Sequence, residues 1–303
     1  MLTAADHGQV RPGRARVWLL AIRPKTLPAA AASVIAGTAL AWDDGAFSPG
    51  PALASLVIAL LLQIGGNLAN DVYDDERGAD TAERLGPTRV TQAGLLTRTQ
   101  VKRGMIAVFT SAFAAGLYLT WVQGWLVLVI GLAAILAAFA YTGGPWPLGY
   151  HGLGEVFVFL FFGVTAVVGT YWVQAGTTSA AAWLMSVPLG LLITAILVVN
   201  NLRDIDQDRA VGKHTLATRV GVRGTRWEYA ACIAGAYLGV TAGVGLGVLP
   251  VHALTSWLSA PLAYLSTRMV FTQAGRPLNR ALALTGQTVL AFSVLFALGV
   301  ALA

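Results

Sequence analysis

Fourteen residues of this 303-residue chain are acidic. Ten of them fall in two clusters: Asp71, Asp74, Asp75, Glu76, Asp80 and Glu83, then Asp204, Asp206, Asp208 and Glu228. Similar strings surround them, Asn67-Leu-Ala-Asn-Asp-Val-Tyr-Asp-Asp-Glu-Arg-Gly-Ala-Asp80 and Asn200-Asn-Leu-Arg-Asp-Ile-Asp-Gln-Asp208. In the second, Asn200, Asp204 and Asp208 recur every four residues, which on a helix puts them on one face, a turn apart. The first offers two such registers. One is Asn70 and Asp74, with Asp80 two residues later than the repeat would place it; the other is Asn67, Asp71 and Asp75. Gly78 is placed to end the helix, so that Asp80 could return from a turn. Like charges at this spacing repel one another and destabilise a helix. Two such clusters make sense where a cation neutralises them. Carboxylates with interleaved amides are hard oxygen ligands suited to Mg²⁺, which prefers to be shared between one or two carboxylates and substrate phosphates. Arg77, Arg84, Arg89, Arg203, Arg209 and Lys213 lie close by in sequence and would supply anion contacts. One cluster alone reads equally well as a solvated loop with salt bridges. Two with matched spacing read as a metal-bridged diphosphate site.

The elements that must position these residues are apolar helices. Apolar residues make up 56% of the chain, mean hydropathy is +0.67, and charged residues are 11% against roughly 25% in soluble domains. That is too little charge to cover a soluble enzyme, and disorder, collagen and coiled coil each need a polar or strictly repetitive composition. The chain reads as an integral, all-α, polytopic membrane protein. Stretches long enough for a bilayer occur at about 26–42, 51–72, 101–121, 124–141, 154–174, 182–203, 227–247, 251–267 and 282–302, giving nine expected spans. Residues 1–25 are polar and basic with no apolar core, so a cleavable signal peptide is not expected. All 20 Lys and Arg fall in the N-terminal segment, in loops 2–3, 6–7 and 8–9, or at the adjoining helix ends. The loops between are free of them. By the positive-inside rule the N-terminus and both acidic clusters face the cytoplasm, and the C-terminus lies outside. The net charge of +6 is therefore a topology signal, and no nucleic-acid partner is expected. Cys232 is the lone cysteine and the four histidines are scattered, so no disulfide or zinc site is expected. Loop 4–5, from Tyr141 to Tyr150, is glycine, proline and aromatic; it reads as a tight turn with interfacial aromatics or as a substrate-contacting loop. Glu155, at a span boundary, reads as a functional acid or as a hydrogen-bonded structural one.

The two strings resemble the paired aspartate-rich motifs of the UbiA superfamily of membrane prenyltransferases, in which an Asn-Asp-x-x-Asp…Asp motif follows span 2 and an Asn-x-x-x-Asp-x-x-x-Asp motif follows span 6. Carried over by position, the first is Asn70, Asp71, Asp74 and Asp80, and the second Asn200, Asp204 and Asp208. Further strings are similar to the branch acting on 1,4-dihydroxy-2-naphthoate in menaquinone synthesis: residues 22–28, 84–96, 141–145, 154–163 and 200–217. Spans 7–9 match only as generic apolar helices. The resemblance implies a UbiA-type bundle of nine helices around a central, lipid-accessible cavity, with residues 1–25 a basic cytoplasmic segment and 26–303 a single membrane domain. It implies Mg²⁺ held by Asp71, Asp74, Asp80, Asp204 and Asp208, with Asp71, Asp74 and Asp204 catalytic and Asp71 the first choice for a base. Substrate contacts are expected from Asn67, Asn70, Arg23, Lys25, Arg77, Tyr141, Asn200, Arg209 and Lys213. The implied partners are a polyprenyl diphosphate, 1,4-dihydroxy-2-naphthoate and the lipid bilayer of the bacterial cytoplasmic membrane. The implied reaction is prenyl transfer to the naphthoate ring with loss of carbon dioxide and a proton. A sibling acting on 4-hydroxybenzoate or homogentisate is the nearest alternative. A cation-coupled transporter is the alternative of another class, although its ion sites should lie at the bilayer midplane on broken helices.

Overall fold

The structure, a computed structural model, describes residues 13–79 and 84–302. Every regular element among them is helical. Helix α1 (Arg14–Ile22) leads through a 3₁₀ turn, Pro24–Thr26, into α2 (Leu27–Asp43); α3 (Pro49–Glu76), α4 (Arg98–Gln123) and α5 (Trp125–Ala140) follow. One continuous rod then combines α6 (Gly154–Val158), a π-helical stretch Phe159–Thr165, and α7 (Ala166–Ala175). The chain continues with α8 (Ala180–Ala210), α9 (Leu216–Gly245), a 3₁₀ segment Val251–Ser259, α10 (Ala260–Thr272) and α11 (Leu278–Ala301).

Local sequence explains several of these boundaries. A reciprocal capping box opens α4: the Gln100 amide donates to Thr97 Oγ1 at 3.2 Å, and the Thr97 amide donates to Gln100 Oε1 at 2.9 Å. Ser179 and Thr215 accept from the first turns of α8 and α9. Helix α3 ends where expected: Gly78 sits at φ +68° and the Ala79 amide donates to Asp74 O at 2.9 Å. Asp80, next along, lies outside the described residues.

All nine apolar stretches are helical, but six helical segments among the described residues are long and apolar enough to cross a membrane. These are Arg14–Asp43, Pro49–Glu76, Arg98–Gln123, Gly154–Ala175, Ala180–Ala210 and Leu278–Ala301. Trp125–Ala140 is apolar but shorter. Within the first segment, Val17 and Ala21 of α1 are buried in one cluster with Leu68, Val72 and Met105, so α1 packs onto the bundle.

The outer surface identifies an integral membrane protein. Helix α5 buries none of its residues, and Trp121, Trp125 and Leu246 are 83%, 73% and 74% exposed. An apolar face of this kind is at home against lipid and a liability in water. Polar side chains instead join helices in the interior, as when the Tyr229 hydroxyl bonds Ser266 and Thr285, both at 2.8 Å. Helix α8 is the central strut, flanked by α9, α11 and the Gly154–Ala175 rod. Gly235, Gly239 and Gly243 let α9 approach α8 closely, against Leu191, Pro188 and Leu184.

Four basic regions meet at one end of the bundle. Arg23 lies 3.6 Å from Asp71, Arg98 pairs with Asp75 at 2.6 Å, Arg219 donates to His151 O at 2.9 Å, Arg226 to Gln273 O at 3.0 Å, and Asn279 to Leu85 O at 2.8 Å.

Candidate active site

That end closes over a cavity of about 450 Å³. Its walls are mainly apolar, from α2, α3, α4, α5, the Gly154–Ala175 rod and α8. Its polar end carries Arg23, Lys25, Asn67, Asn70, Asp74, Tyr141, Asn200 and Lys213, which sequence reasoning nominates. Arg84, Arg89, Asn201 and Arg203 line it as well.

The last two turns of α3 supply one wall. Asp74 is 4% exposed; its Oδ2 accepts from Arg89 Nη2 at 2.9 Å and its Oδ1 from the Tyr150 hydroxyl at 2.8 Å. Thr142 Oγ1 donates to Asn70 Oδ1 at 2.9 Å. The far end of α8 supplies the facing wall. Arg203, 2% exposed, donates through Nε and Nη2 to Asp204 at 2.8 and 2.5 Å, through Nη2 to Asn200 Oδ1 at 2.7 Å, and through Nη1 to Asn279 at 2.8 Å. Lys213 Nζ lies 3.8 Å from Asp208 Oδ1. Tyr150 ties the walls together: besides its bond to Asp74, its ring lies 5.0 Å from Lys213 Nζ, and its carbonyl accepts the His214 amide at 3.0 Å.

Five nominated residues take other positions. Asp71 is fully buried and does not line the cavity; its carboxylate accepts the Val90 and Thr91 amides at 3.1 and 2.9 Å, with Arg23 Nη2 at 3.6 Å. This is how a carboxylate pins a loop of the main chain. Arg77 donates to the carbonyl oxygens of Thr142 and Gly144, so it organises loop 141–150 and does not line the cavity. Arg209 pairs with Asp206 at 3.6 Å and is half exposed away from the cavity. Asp204 and Asp208 stand behind the lining, held by Arg203 and Lys213. Asn67 does line the cavity, but its amide donates to Ile22 O and Thr26 Oγ1, both at 2.9 Å. That clamp secures the turn in which Arg23 adopts φ +55°, a left-handed conformation unusual for a side chain with a Cβ.

Sequence reasoning missed Tyr150 and Thr142 as individuals, although it marked their loop. It missed Asn201 altogether. The available signal was the loop's composition: three glycines, two prolines and three aromatics with no basic residue, facing an acidic motif.

The polar end offers hard oxygen donors from Asp74, Asn70 and Asn200, with Asp208 and Asp204 close behind. Among the described residues no three His, Cys, Asp or Glu side chains converge to hold a metal. A Mg²⁺ that takes one or two carboxylates and fills its shell with phosphate oxygens and water needs no such cage. The donor set fits a cation shared with a phosphorylated ligand, and Arg84, Arg89 and Lys213 fit the ligand's charge.

The family model of the UbiA prenyltransferase family matches residues 30–282. The chain is 39% identical over 300 residues to 1,4-dihydroxy-2-naphthoate octaprenyltransferase of Escherichia coli (strain K12), covering 95% of this chain and 96% of that one. It is 32% identical over 304 residues to the protein of the same name from Bacillus subtilis (strain 168), covering 98% and 97%. Among solved structures, a UbiA homolog from Aeropyrum pernix K1 superposes with a TM-score of 0.67 at 18% identity, over 96% of this chain and 99% of that one. A UbiA homolog from Archaeoglobus fulgidus bound to DMAPP and Mg²⁺ gives 0.67 at 13% identity, over 94% and 99%. These two show a shared fold.

Proposed function

The chain belongs to the UbiA prenyltransferase family, and from that premise we propose that it transfers a polyprenyl group from polyprenyl diphosphate to 1,4-dihydroxy-2-naphthoate with decarboxylation, the prenylating step of menaquinone synthesis. The observation that carries the reading is the cavity: an apolar chamber whose polar end brings the α3 and α8 strings face to face among Arg84, Arg89 and Lys213. The relatives that match nearly end to end bear the same activity in their names.

Asp74, with Asn70, Asn200, Asp204 and Asp208, would hold Mg²⁺; the motif implies Asp80 as a further ligand. The metal, when bound, supplies charge neutralisation at the diphosphate. Lys213 and Arg89, already fixed by Asp208 and Asp74, stand ready for the negative charge that grows as the diphosphate leaves, without reorganising at the moment of reaction. Phe157, Phe161 and Phe162 line the adjoining apolar wall. They exclude water from the allylic carbon as it gains cationic character. The electron-rich naphthoate ring attacks that carbon. Arg23 and Lys25 enter the cavity beside it and suit the acceptor carboxylate. Asp71, with both oxygens on the main chain of residues 90–91, holds the 84–96 loop, and the role of base does not fall to it.

The nine helical rods are assigned as nine crossings of the bacterial cytoplasmic membrane, with the basic end cytoplasmic and the C-terminus outside. The test of the function is an assay of the purified protein with labelled prenyl diphosphates and a panel of aromatic acceptors. Prenylated naphthoquinol lacking the carboxylate is expected, with little product from 4-hydroxybenzoate. Comparable kcat/KM on both acceptors, or a product that keeps its carboxylate, would overturn the assignment.

A further inference from the structure

At the cavity wall stands a pair that the diphosphate chemistry does not use. Glu155, in the first turn of α6, is 8% exposed, and its Oε1 accepts from Asn201 Nδ2 at 2.9 Å. Its second oxygen, Oε2, is buried with no hydrogen-bond partner among the described residues. Such an atom is costly and calls for a reason. Asn201 is 6% exposed and lines the cavity, while Glu155 stands behind it. With Nδ2 turned back to Glu155, the amide oxygen is the polar atom that Asn201 has left for the cavity. Tyr141 completes the wall: its hydroxyl lies 2.9 Å from where a Cβ on Gly154 would sit, so glycine at 154 is what admits the ring there.

An amide oxygen accepts hydrogen bonds and does not donate them. A fully ionised diphosphate offers only acceptors, and a prenyl chain offers nothing. Of the two proposed substrates, only the dihydroxynaphthoate carries O–H donors. We infer that Asn201 Oδ1 is the recognition group for a ring hydroxyl of the aromatic acceptor, and that Glu155 is a positioning residue that fixes the Asn201 amide in the accepting orientation. This rests on the reading of the reaction given above. The buried Glu155 is then explained as the brace behind a specificity contact.

The test compares steady-state constants for the two substrates in Asn201→Ala, Glu155→Leu and Glu155→Gln, using farnesyl diphosphate and dihydroxynaphthoate. Asn201→Ala should raise KM for the naphthoate about tenfold while leaving KM for farnesyl diphosphate within about twofold of wild type. Glu155→Leu should do the same. Glu155→Gln keeps an oxygen for Asn201 Nδ2 and should restore most of the naphthoate KM, a rescue that mere volume filling by Leu cannot give. Thermal stabilisation by farnesyl diphosphate with Mg²⁺ shows whether each variant is folded; if Glu155→Leu is not, Asn201→Ala and Glu155→Gln decide. An equal rise in both KM values, or an unchanged naphthoate KM in Asn201→Ala, would overturn the inference. Wild-type protein that turns over a different hydroxylated aromatic would overturn the reading of the reaction instead, and the same constants measured for that aromatic would still decide the role of Asn201.

Discussion

Asp74 is the residue on which the polar end converges, since loop 84–96 reaches it through Arg89 and loop 141–150 through Tyr150. Replacing Asp74 with Ala should abolish prenyl transfer while leaving the protein inserted, as judged by membrane fractionation; near-normal turnover would remove it from the site. Tyr150→Phe is the subtler probe. It keeps the ring beside Lys213 and deletes one hydrogen bond to a charged acceptor, worth about 1.5–3 kcal/mol. A fall of about tenfold to a hundredfold in kcat/KM is expected, and an unchanged value would show that the bridge is dispensable. Asp71→Asn should act differently, lowering thermal stability by loosening residues 90–91 and sparing the KM for prenyl diphosphate in the fraction that remains folded. The contrast shows what a sequence can disclose at this scale. Asn70 and Asp74, or Asn200, Asp204 and Asp208, are spaced by the helix itself, so their shared faces are local information. The partners Arg89, Thr142 and Tyr150 lie 15 to 76 residues away from the α3 groups they hold. Their roles exist only after the loops fold back. The same holds for Asp71, whose carboxylate reads as a base in the sequence and is satisfied by main-chain amides in the fold.

Helices were the most legible level, because a run of apolar residues bounded by glycine, proline or a capping Thr or Ser depends on neighbours alone. Their irregularities were not. The π-helical stretch Phe159–Thr165 passes through a run that reads as plain apolar helix; its Phe162 carbonyl accepts from Ser33 on α2, and Gly163 packs onto Gly190 of α8. A Cβ at position 163 would lie 2.5 Å from Gly190 Cα and 2.9 Å from Ser186 O, both on a backbone that cannot swing aside. Gly163→Ala is therefore expected to destabilise the protein by about 1–3 kcal/mol. Unfolding in mixed micelles would measure it, and a variant as stable as wild type would mean that the two rods separate easily. Tyr229→Phe, which removes the hydroxyl joining α9 to α10 and α11, should cost less, about 0.6 kcal/mol by the average for bonds between membrane helices.

For the molecule as a whole, the one-sided distribution of Lys and Arg was legible because it is a property of order along the chain. The cavity was not, since its walls come from several helices and its polar end from several separate connections. A reporter fused to the C-terminus should be active only on the outer side of the cytoplasmic membrane; a cytoplasm-exposed reporter would contradict nine crossings. The gathering of basic regions at one end has a consequence for how the acceptor arrives. With the basic end cytoplasmic, as proposed, the anionic naphthoate would approach a leaflet held at about −30 mV, which depletes a monovalent anion roughly threefold at the surface. A basic end offsets that local depletion within a Debye length, about 8 Å in physiological salt. In liposomes of zwitterionic lipid only the attraction by the protein remains, so added salt should slow acceptor capture there. In liposomes rich in anionic lipid the same salt also relieves the repulsion, and the slowing should shrink or reverse.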